Sequence, residues 1–328
     1  MIWVAWRQQR AQLITLLGLL VIGAITVVVL RSAMSSYLDS HGLASCVAGG
    51  IEPDNAQCFR AAQEFQDVWF DRMKIGQLLL LVLPALIGMF CGAPLFAREL
   101  EQGTHVLAFT QSVSRTRWMV SKTAVSAGPA ILVLVVLQVL VAGWLSVAGR
   151  LGPLSTGPFG YTTFGSSSLA PVSYVLFTFA LGMFVGVVSR RTLVAMTVTL
   201  VVFVVVRVVG SSLKELLVPA QRIVSDDPTA SVSDDRGALV VQSGFLDAQG
   251  AVLPSNAADR ISSCGAQGNA PDVGDLATCY RQQGLAKSYV DLIPSTSATT
   301  MHLVEASIFG GVALVLVLAT GWALRRQT

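Results

Sequence analysis

Six long apolar segments constrain the fold of this chain more than any other feature. Each has about 18 or more residues with almost no charge, and they cover residues 12–30, 75–97, 124–147, 171–188, 192–209 and 304–324. Lipid cannot satisfy an open backbone, so an apolar segment of this length crosses a bilayer as a helix. Charged residues make up only 12% of the chain, whereas soluble domains average roughly 25%. The sequence therefore predicts an all-α polytopic membrane protein with six transmembrane helices.

The basic residues of the short connections predict the direction of these helices. With the N-terminus in the cytoplasm, the cytoplasmic segments hold 10 of the 22 basic residues but only two of the 19 acidic ones. Short cytoplasmic loops are enriched in Lys and Arg. These segments are residues 1–11, 98–123, 189–192 and 325–328. We therefore expect both termini in the cytoplasm and extracellular loops over 31–74, 148–170 and 210–303, the last forming a sizeable cap.

Cysteine placement agrees with this topology. Cys46 and Cys58 lie in the first predicted extracellular loop, and Cys264 and Cys279 lie in the last. Disulfides persist outside the cytosol. Local pairing within each loop is the simplest of the possible connectivities, and a cross-link between the loops stays open. Cys91 lies inside the second span, where we expect it to be a packing residue.

The last extracellular loop has little apolar sequence from which to build a core. Within it, "GALVVQSGFLDAQGAVL" predicts one or two short strands around glycine turns. A segment of this size needs its disulfide or neighbouring helices for stability.

The N-terminal segment 1–11 places two tryptophans four residues before two arginines, which are Trp3 with Arg7 and Trp6 with Arg10. Tryptophan favours the membrane interface, and the arginines supply a positive cytoplasmic flank. The apolar stretch that follows is longer than the ~7–15-residue core of a signal peptide. We therefore expect a retained cytoplasmic interfacial helix.

Motifs for catalysis are missing from the sequence. It contains no HExxH, no G-x-S-x-G, no paired CxxC and no Walker A sequence. We expect no catalytic residue, no metal site and no nucleic-acid partner. His302 and Glu305 stand one turn apart and suggest either an ion or proton site or, more simply, an interfacial polar pair. Arg207, near the end of the fifth span, is expected to snorkel to the interface.

Two GxxxG patterns allow close approach between helices. They are Gly88 with Gly92 and Gly182 with Gly186. Packing within the chain is the favoured explanation, and a dimer face is the alternative.

Residues 97–122, "ARELEQGTHVLAFTQSVSRTRWMVSK", form the one predicted cytoplasmic loop that is long enough to fold. Gly103 ends the preceding helix, and Thr104 is a good N-cap for a short helix, "HVLAFTQ". Ser112 or Ser114 then caps the next helix. A short helix across the membrane surface offers a binding surface to a partner, whereas the simpler alternative is a solvated basic loop.

This loop resembles the coupling region of ABC exporter permeases of the type-two class. Their pattern is an acidic residue, Gly-Thr, an apolar helix, often a Pro, and then an Arg and a Lys. The matching residues are Glu99, Glu101, Gly103, Thr104, Leu107, Arg115 and Lys122, while Ser112 replaces the Pro. The string "GTHVLAFTQSVSRTRW", together with the N-terminal W-x-x-W-R-Q, is similar to an actinobacterial subgroup.

The resemblance implies the permease subunit of an ATP-driven exporter. The helix after Gly103, beginning at His105, would enter a groove of a separate ATP-binding subunit that holds ATP and Mg. Two permease copies would pair with two ATPases in a bacterial plasma membrane, in contact with its lipid, and export a hydrophobic or amphipathic compound. The alternatives are an ion-coupled secondary transporter, and a membrane-anchored receptor or assembly factor with an extracellular binding cap.

Overall fold

The computed structural model describes residues 2–43, 46–47, 56–103, 114–230, 237–256, 264 and 273–326. The chain divides into two compact units. The helical unit comprises Met1–Ser155, Gly160–Ser212 and His302–Thr328, and the sheet unit comprises Thr156–Phe159 and Leu213–Met301.

Long helices build the helical unit. In chain order they are α1 (Ile2–Ser40), α2 (Ala56–Ile87), α3 (Pro94–Glu101), α4 (Arg115–Ala148), α5 (Tyr161–Ser166), α6 (Ala170–Ser189) and α7 (Thr192–Ser212), and the C-terminal helix is α9 (Ala298–Arg326). A π-helical turn, Gly88–Gly92, joins α2 to α3. Within the described ranges, six helical stretches are long and apolar enough to cross a membrane. The predicted polytopic helical architecture is confirmed at that level.

The first helix extends beyond the predicted span at both ends. It is continuous over its 39 residues, which corresponds to a length of roughly 58 Å. No break separates residues 2–11 from the apolar segment 12–30, so the predicted interfacial helix is the first part of α1 and not an element of its own. The reason is local, because the first 17 residues contain neither Gly nor Pro.

Close packing of α6 on the π-helical turn explains both GxxxG patterns. A Cβ on Gly182 would lie 2.7 Å from the backbone N of Ala93, and one on Gly186 would lie 2.6 Å from the Ala93 O. A Cβ on Gly92 would lie 2.7 Å from the O of Phe179 on α6. Packing within the chain is therefore confirmed for these glycines, since only a hydrogen side chain leaves room for the facing backbone.

The sheet unit contains three antiparallel strands, β1 (Gln221–Ser225), β2 (Leu239–Leu246) and β3 (Lys287–Ile293), in the order β1-β3-β2. Helix α8 (Val273–Gln282) precedes β3. The purely α fold class is therefore wrong for this part of the chain. The predicted strand in "GALVVQSGFLDAQGAVL" corresponds to β2, but β1 and β3 were not expected. Both are short, and their pairing joins segments more than 60 residues apart, which no local pattern reveals.

The two disulfides are local. Cys46 is bonded to Cys58 in the helical unit, and Cys264 is bonded to Cys279 on α8. This is the simplest of the connectivities left open by the sequence. Cys91 is a free, buried thiol.

Candidate functional site

One end of the helical unit gathers the termini of six helices, and we call it the basic end. Gln9 near the start of α1 contacts Lys122 near the start of α4, and Glu101 at the end of α3 contacts Thr192 at the start of α7. A Cβ on Gly321 of α9 would lie 3.6 Å from Met119 of α4. The basic residues on these helix ends are Arg7, Arg10, Arg98, Arg115, Arg117, Lys122, Arg190, Arg191, Arg325 and Arg326. The up-and-down course of the helices therefore brings together the segments that the charge pattern groups on one side.

Glu99 and Lys122 form an ion pair that joins α3 to α4. The Lys122 side chain is 7% exposed and the Glu99 side chain 17%, so the pair is largely shielded from water. Both residues belong to the predicted coupling set. Because each charge neutralises the other inside the bundle, the pair holds the two helices together, and Lys122 is not exposed to a partner.

Glu101 caps a third helix. Its Oε2 accepts hydrogen bonds from the Thr192 backbone N at 3.0 Å and from the Thr192 hydroxyl at 2.7 Å. A carboxylate at a helix N-terminus satisfies a free N–H and interacts favourably with the helix dipole. The preceding turn is short because Arg190 adopts a left-handed backbone conformation (φ 53°) and its N donates to the Gly186 O. Glu101 thus fastens α3 to the α6–α7 hairpin.

The structure describes both ends of the predicted coupling loop. Gly103 ends the α3 segment with a positive φ of 70°, as expected for a residue that stops a helix. Ser114 is the N-cap of α4, and its hydroxyl accepts a hydrogen bond from the Arg117 N at 3.3 Å. Thr104, His105, Leu107 and Ser112 lie outside the described residues, as does the Arg115 side chain.

The start of α1 packs beside the Glu99–Lys122 pair. The Gln9 side chain, 8% exposed, donates to the Lys122 O at 3.4 Å. The Gln12 amide donates to the Ser126 hydroxyl at 2.7 Å. Arg7 and Arg10 are exposed, and the side chains of Trp3 and Trp6 lie outside the described part. Neither glutamine was expected from the sequence, although their spacing of three residues on one helix face was a usable signal.

A buried polar cluster lies among α6, α7 and α9. The Tyr174 hydroxyl donates to Glu305 Oε1 at 2.8 Å and accepts from Arg207 Nη1, which is 3.4 Å from Glu305 Oε1. Arg207 is 3% exposed and Glu305 is 5% exposed. The expectation that Arg207 snorkels to the interface is therefore wrong, because its guanidinium pairs with Glu305 and Tyr174 inside the bundle. Glu305 pairs with Arg207 and not with His302, as an interfacial polar pair would require. The His302 ring stacks on the Phe164 ring, with 4.0 Å between the ring centres.

Within the described residues, no group of three or more His, Cys, Asp or Glu side chains is placed to hold a metal ion. The polar contacts described at the basic end include the Glu99–Lys122 ion pair and the helix caps formed by Glu101 and Ser114.

A family model described as "ABC-2 membrane transporter related" matches residues 17–214. This match covers more than half of the chain, from within α1 to the end of α7, and it includes the ion pair and the caps at the basic end. No curated protein and no solved structure matches the chain. The chain is thus a multi-pass membrane protein that belongs to the ABC-2 membrane transporter related family, as the permease subunit of an ABC transporter.

Proposed function

We propose that this chain exports its substrate and that residues 98–123 receive movement from a separate ATP-binding subunit. The observation that supports the proposal is that α3 and α4, the two helices that flank the loop, are linked to each other and to the rest of the bundle by side-chain contacts. Glu99 on α3 pairs with Lys122 on α4, and Glu101 caps α7. A partner that displaces this loop would therefore move α3, α4 and α7 together, since the flanking helices cannot yield independently.

The proposed orientation places the basic end in the cytoplasm, in agreement with the positive-inside rule. The partner subunit binds ATP and Mg there, and two permease copies pair with two such subunits. The cargo is a hydrophobic or amphipathic compound that leaves through a bacterial plasma membrane. The apolar composition supports this cargo class, because the buried charges of the described spans are paired with one another and not arranged along a polar route.

Co-purification tests the partner. Affinity purification of the full chain is expected to recover a soluble subunit with a Walker A sequence, and deleting residues 103–110 is expected to release it. A matched eight-residue deletion, 265–272 in the sheet unit, should leave recovery unchanged. Equal recovery after both deletions would contradict the assignment of the coupling loop.

Thiol labelling tests the orientation. An impermeant maleimide added from outside intact cells is expected to label Cys46, Cys58, Cys264 and Cys279 only after reduction, because these residues are disulfide-bonded. Labelling of the four residues only from the cytoplasmic side of inverted vesicles would reverse the proposed topology.

The buried Glu305 gives an ion-coupled carrier some support, because an acidic residue inside a membrane bundle is a common proton site. Its pairing with Arg207 favours a structural role instead. Transport by reconstituted protein distinguishes the two functions. We expect export to require ATP and the partner subunit, whereas accumulation driven by a proton gradient alone would establish the carrier.

A further inference from the structure

A cavity of about 450 Å³ opens at the basic end, between the start of α1, the π-helical turn, α3 and the start of α4. Its volume lies in the range of roughly 300–1,000 Å³ that is typical of small-molecule sites. The residues that matter for its chemistry are Gln9, Phe90, Leu95, Arg98, Glu99 and Lys122. The cavity is therefore lined by charged and polar side chains together with apolar ones.

The charged residues that line the cavity carry a net positive charge. Lys122 and Glu99 neutralise each other in the α3–α4 ion pair. Arg98 is exposed, and among the described residues no carboxylate forms an ion pair with it. A guanidinium binds carboxylate or phosphate oxygens through paired, charge-assisted hydrogen bonds. The cavity is therefore suited to an anionic group beside Arg98.

A hydrogen-bond acceptor among the lining residues lacks a partner. The Gln9 amide group donates to the Lys122 O, but its Oε1 is buried and accepts no hydrogen bond from the described residues. Burying an unpaired acceptor is costly, and native structures rarely retain one without a use. A ligand hydroxyl beside Gln9 would supply the donor.

The lining also contains apolar side chains, of which Phe90 is accessible. Phe90 is 56% exposed, and Leu95 continues the apolar surface of the cavity. An aliphatic chain is the ligand part that gains from covering such side chains. A cavity lined by both polar and apolar side chains is suited to a molecule that has a polar headgroup and an apolar chain.

We propose that this cavity binds an amphipath with an anionic, hydroxyl-bearing headgroup, and that it is where cargo of this class is recognised. The headgroup pairs with Arg98 and donates to Gln9, and the chain lies along Phe90 and Leu95. The cargo role rests on the proposed export function, whereas binding itself does not.

The chain has a built-in reporter for this site. Cys91 lines the cavity, and the other four of its five cysteines are in disulfides. Cys91 is only 6% exposed, so the rate at which N-ethylmaleimide alkylates unreduced protein reports how often this thiol becomes accessible from the cavity. In detergent-free nanodiscs of phosphatidylcholine, lysophosphatidylglycerol is expected to slow this alkylation. Glycerophosphate, which lacks the chain, and lysophosphatidylcholine, which lacks the net negative charge, should protect far less.

A matched pair of variants tests the recognition. Arg98→Gln should raise the concentration of lysophosphatidylglycerol needed for half-protection by about tenfold, because it removes a charge-assisted pair. Arg117→Gln removes an equal charge from an exposed position on α4 and should leave protection unchanged. Alkylation that is insensitive to lysophosphatidylglycerol, or equally weakened protection in both variants, would overturn the binding site.

Measuring ATP hydrolysis by the assembled transporter distinguishes a transported ligand from a lipid that only stays bound in the cavity. Cargo is expected to stimulate hydrolysis at the concentrations that protect Cys91, and Arg98→Gln should shift both curves together. Protection without stimulation would overturn the cargo role. Failure to recover any ATPase subunit would contradict the proposed function, while the alkylation result would stand by itself.

Discussion

Arg207 is a charged residue that is buried inside the helical unit. Its guanidinium is held by the Tyr174 hydroxyl and by Glu305, and it also lies 4.1 Å from the centre of the Tyr174 ring. Desolvating such a pair costs several kcal/mol, so its net stabilisation depends on both partners being present. The cluster therefore fixes the relative placement of α6, α7 and α9 at the residue level.

Removing one charge of this cluster should be more damaging than removing both. Glu305→Gln leaves the buried guanidinium uncompensated, and we expect a loss of roughly 3–5 kcal/mol of stability. The double variant Arg207→Met with Glu305→Met should lose less. Thermal denaturation of detergent-solubilised protein measures both, and a double variant less stable than the single one would contradict the electrostatic explanation.

Gly182 is required by the close approach of α6 to the π-helical turn. In Gly182→Ala the new Cβ would lie 2.7 Å from the Ala93 N and 2.7 Å from the Gly88 O. Because backbone cannot move aside as a side chain can, we expect a loss of roughly 1–3 kcal/mol.

The control for this substitution is Gly310→Ala on α9, where the new Cβ would meet no atom of a neighbouring described element within 4 Å. It should be neutral or slightly stabilising, since Ala is favoured over Gly in a helix by up to ~1 kcal/mol. Equal melting temperatures for the two variants would show that the close contact is relaxed in solution.

At the element scale, the flanks of the coupling loop are defined by contacts between helices that are distant in sequence. The π-helical turn connects α2 to α3, and the Glu99–Lys122 pair then joins α3 to α4. This arrangement links the predicted coupling loop to the bundle through side chains and not only through the chain itself.

Reversing the Glu99–Lys122 pair tests this link. Lys122→Glu alone places two carboxylates together in a shielded site and should cost roughly 3 kcal/mol. Adding Glu99→Lys should restore most of the stability and the recovery of the ATPase subunit. Arg117→Glu makes the same charge change at an exposed position of α4, where we expect an effect within about 0.5 kcal/mol. Absence of rescue in the double variant would argue against the pair as the link.

At the scale of the whole molecule, the two units have different sources of stability. Each unit contains a disulfide, but the helical unit relies mainly on apolar packing and a few buried polar links, whereas the small sheet unit adds exposed ion pairs. Arg222 on β1 forms two hydrogen bonds of 2.7 Å with Asp291 on the adjacent strand β3, and these bonds lower the pKa of Asp291. A hydrogen bond from Lys287 likewise lowers the pKa of Asp226.

Acid should therefore loosen the sheet unit. A carboxylate with a lowered folded pKa adds stability above its unfolded value of ~3.9, and this stability is lost as the pH falls towards the folded pKa. Hydrogen exchange of the full chain, corrected for intrinsic rates, should show weaker protection of residues 221–225 at pH 3 than at pH 6. Asp291→Asn should reduce this pH dependence, and an unchanged dependence would exclude the Arg222–Asp291 pair as its cause.

Local periodicity and charge account for much of what the sequence predicts correctly. The apolar segments, the helix stop at Gly103, the Ser114 cap and the local disulfides each depend on residues that are close together in the chain. The Arg207–Glu305 pair and the strands β1 and β3 were missed, because each depends on partners that lie more than 60 residues away.

The sequence by itself determined which six segments are long and apolar enough to cross a membrane as helices, because the absence of water in lipid leaves an apolar backbone few alternatives to a helix. Its basic residues also predict which helix ends share a side, since short cytoplasmic loops are enriched in Lys and Arg. Only the tertiary structure decided which charges are buried together, which glycines face backbone, and that Gln9, Arg98 and Phe90 line one cavity. Those outcomes depend on how helices pack in three dimensions, and side-chain packing is not encoded in any single segment.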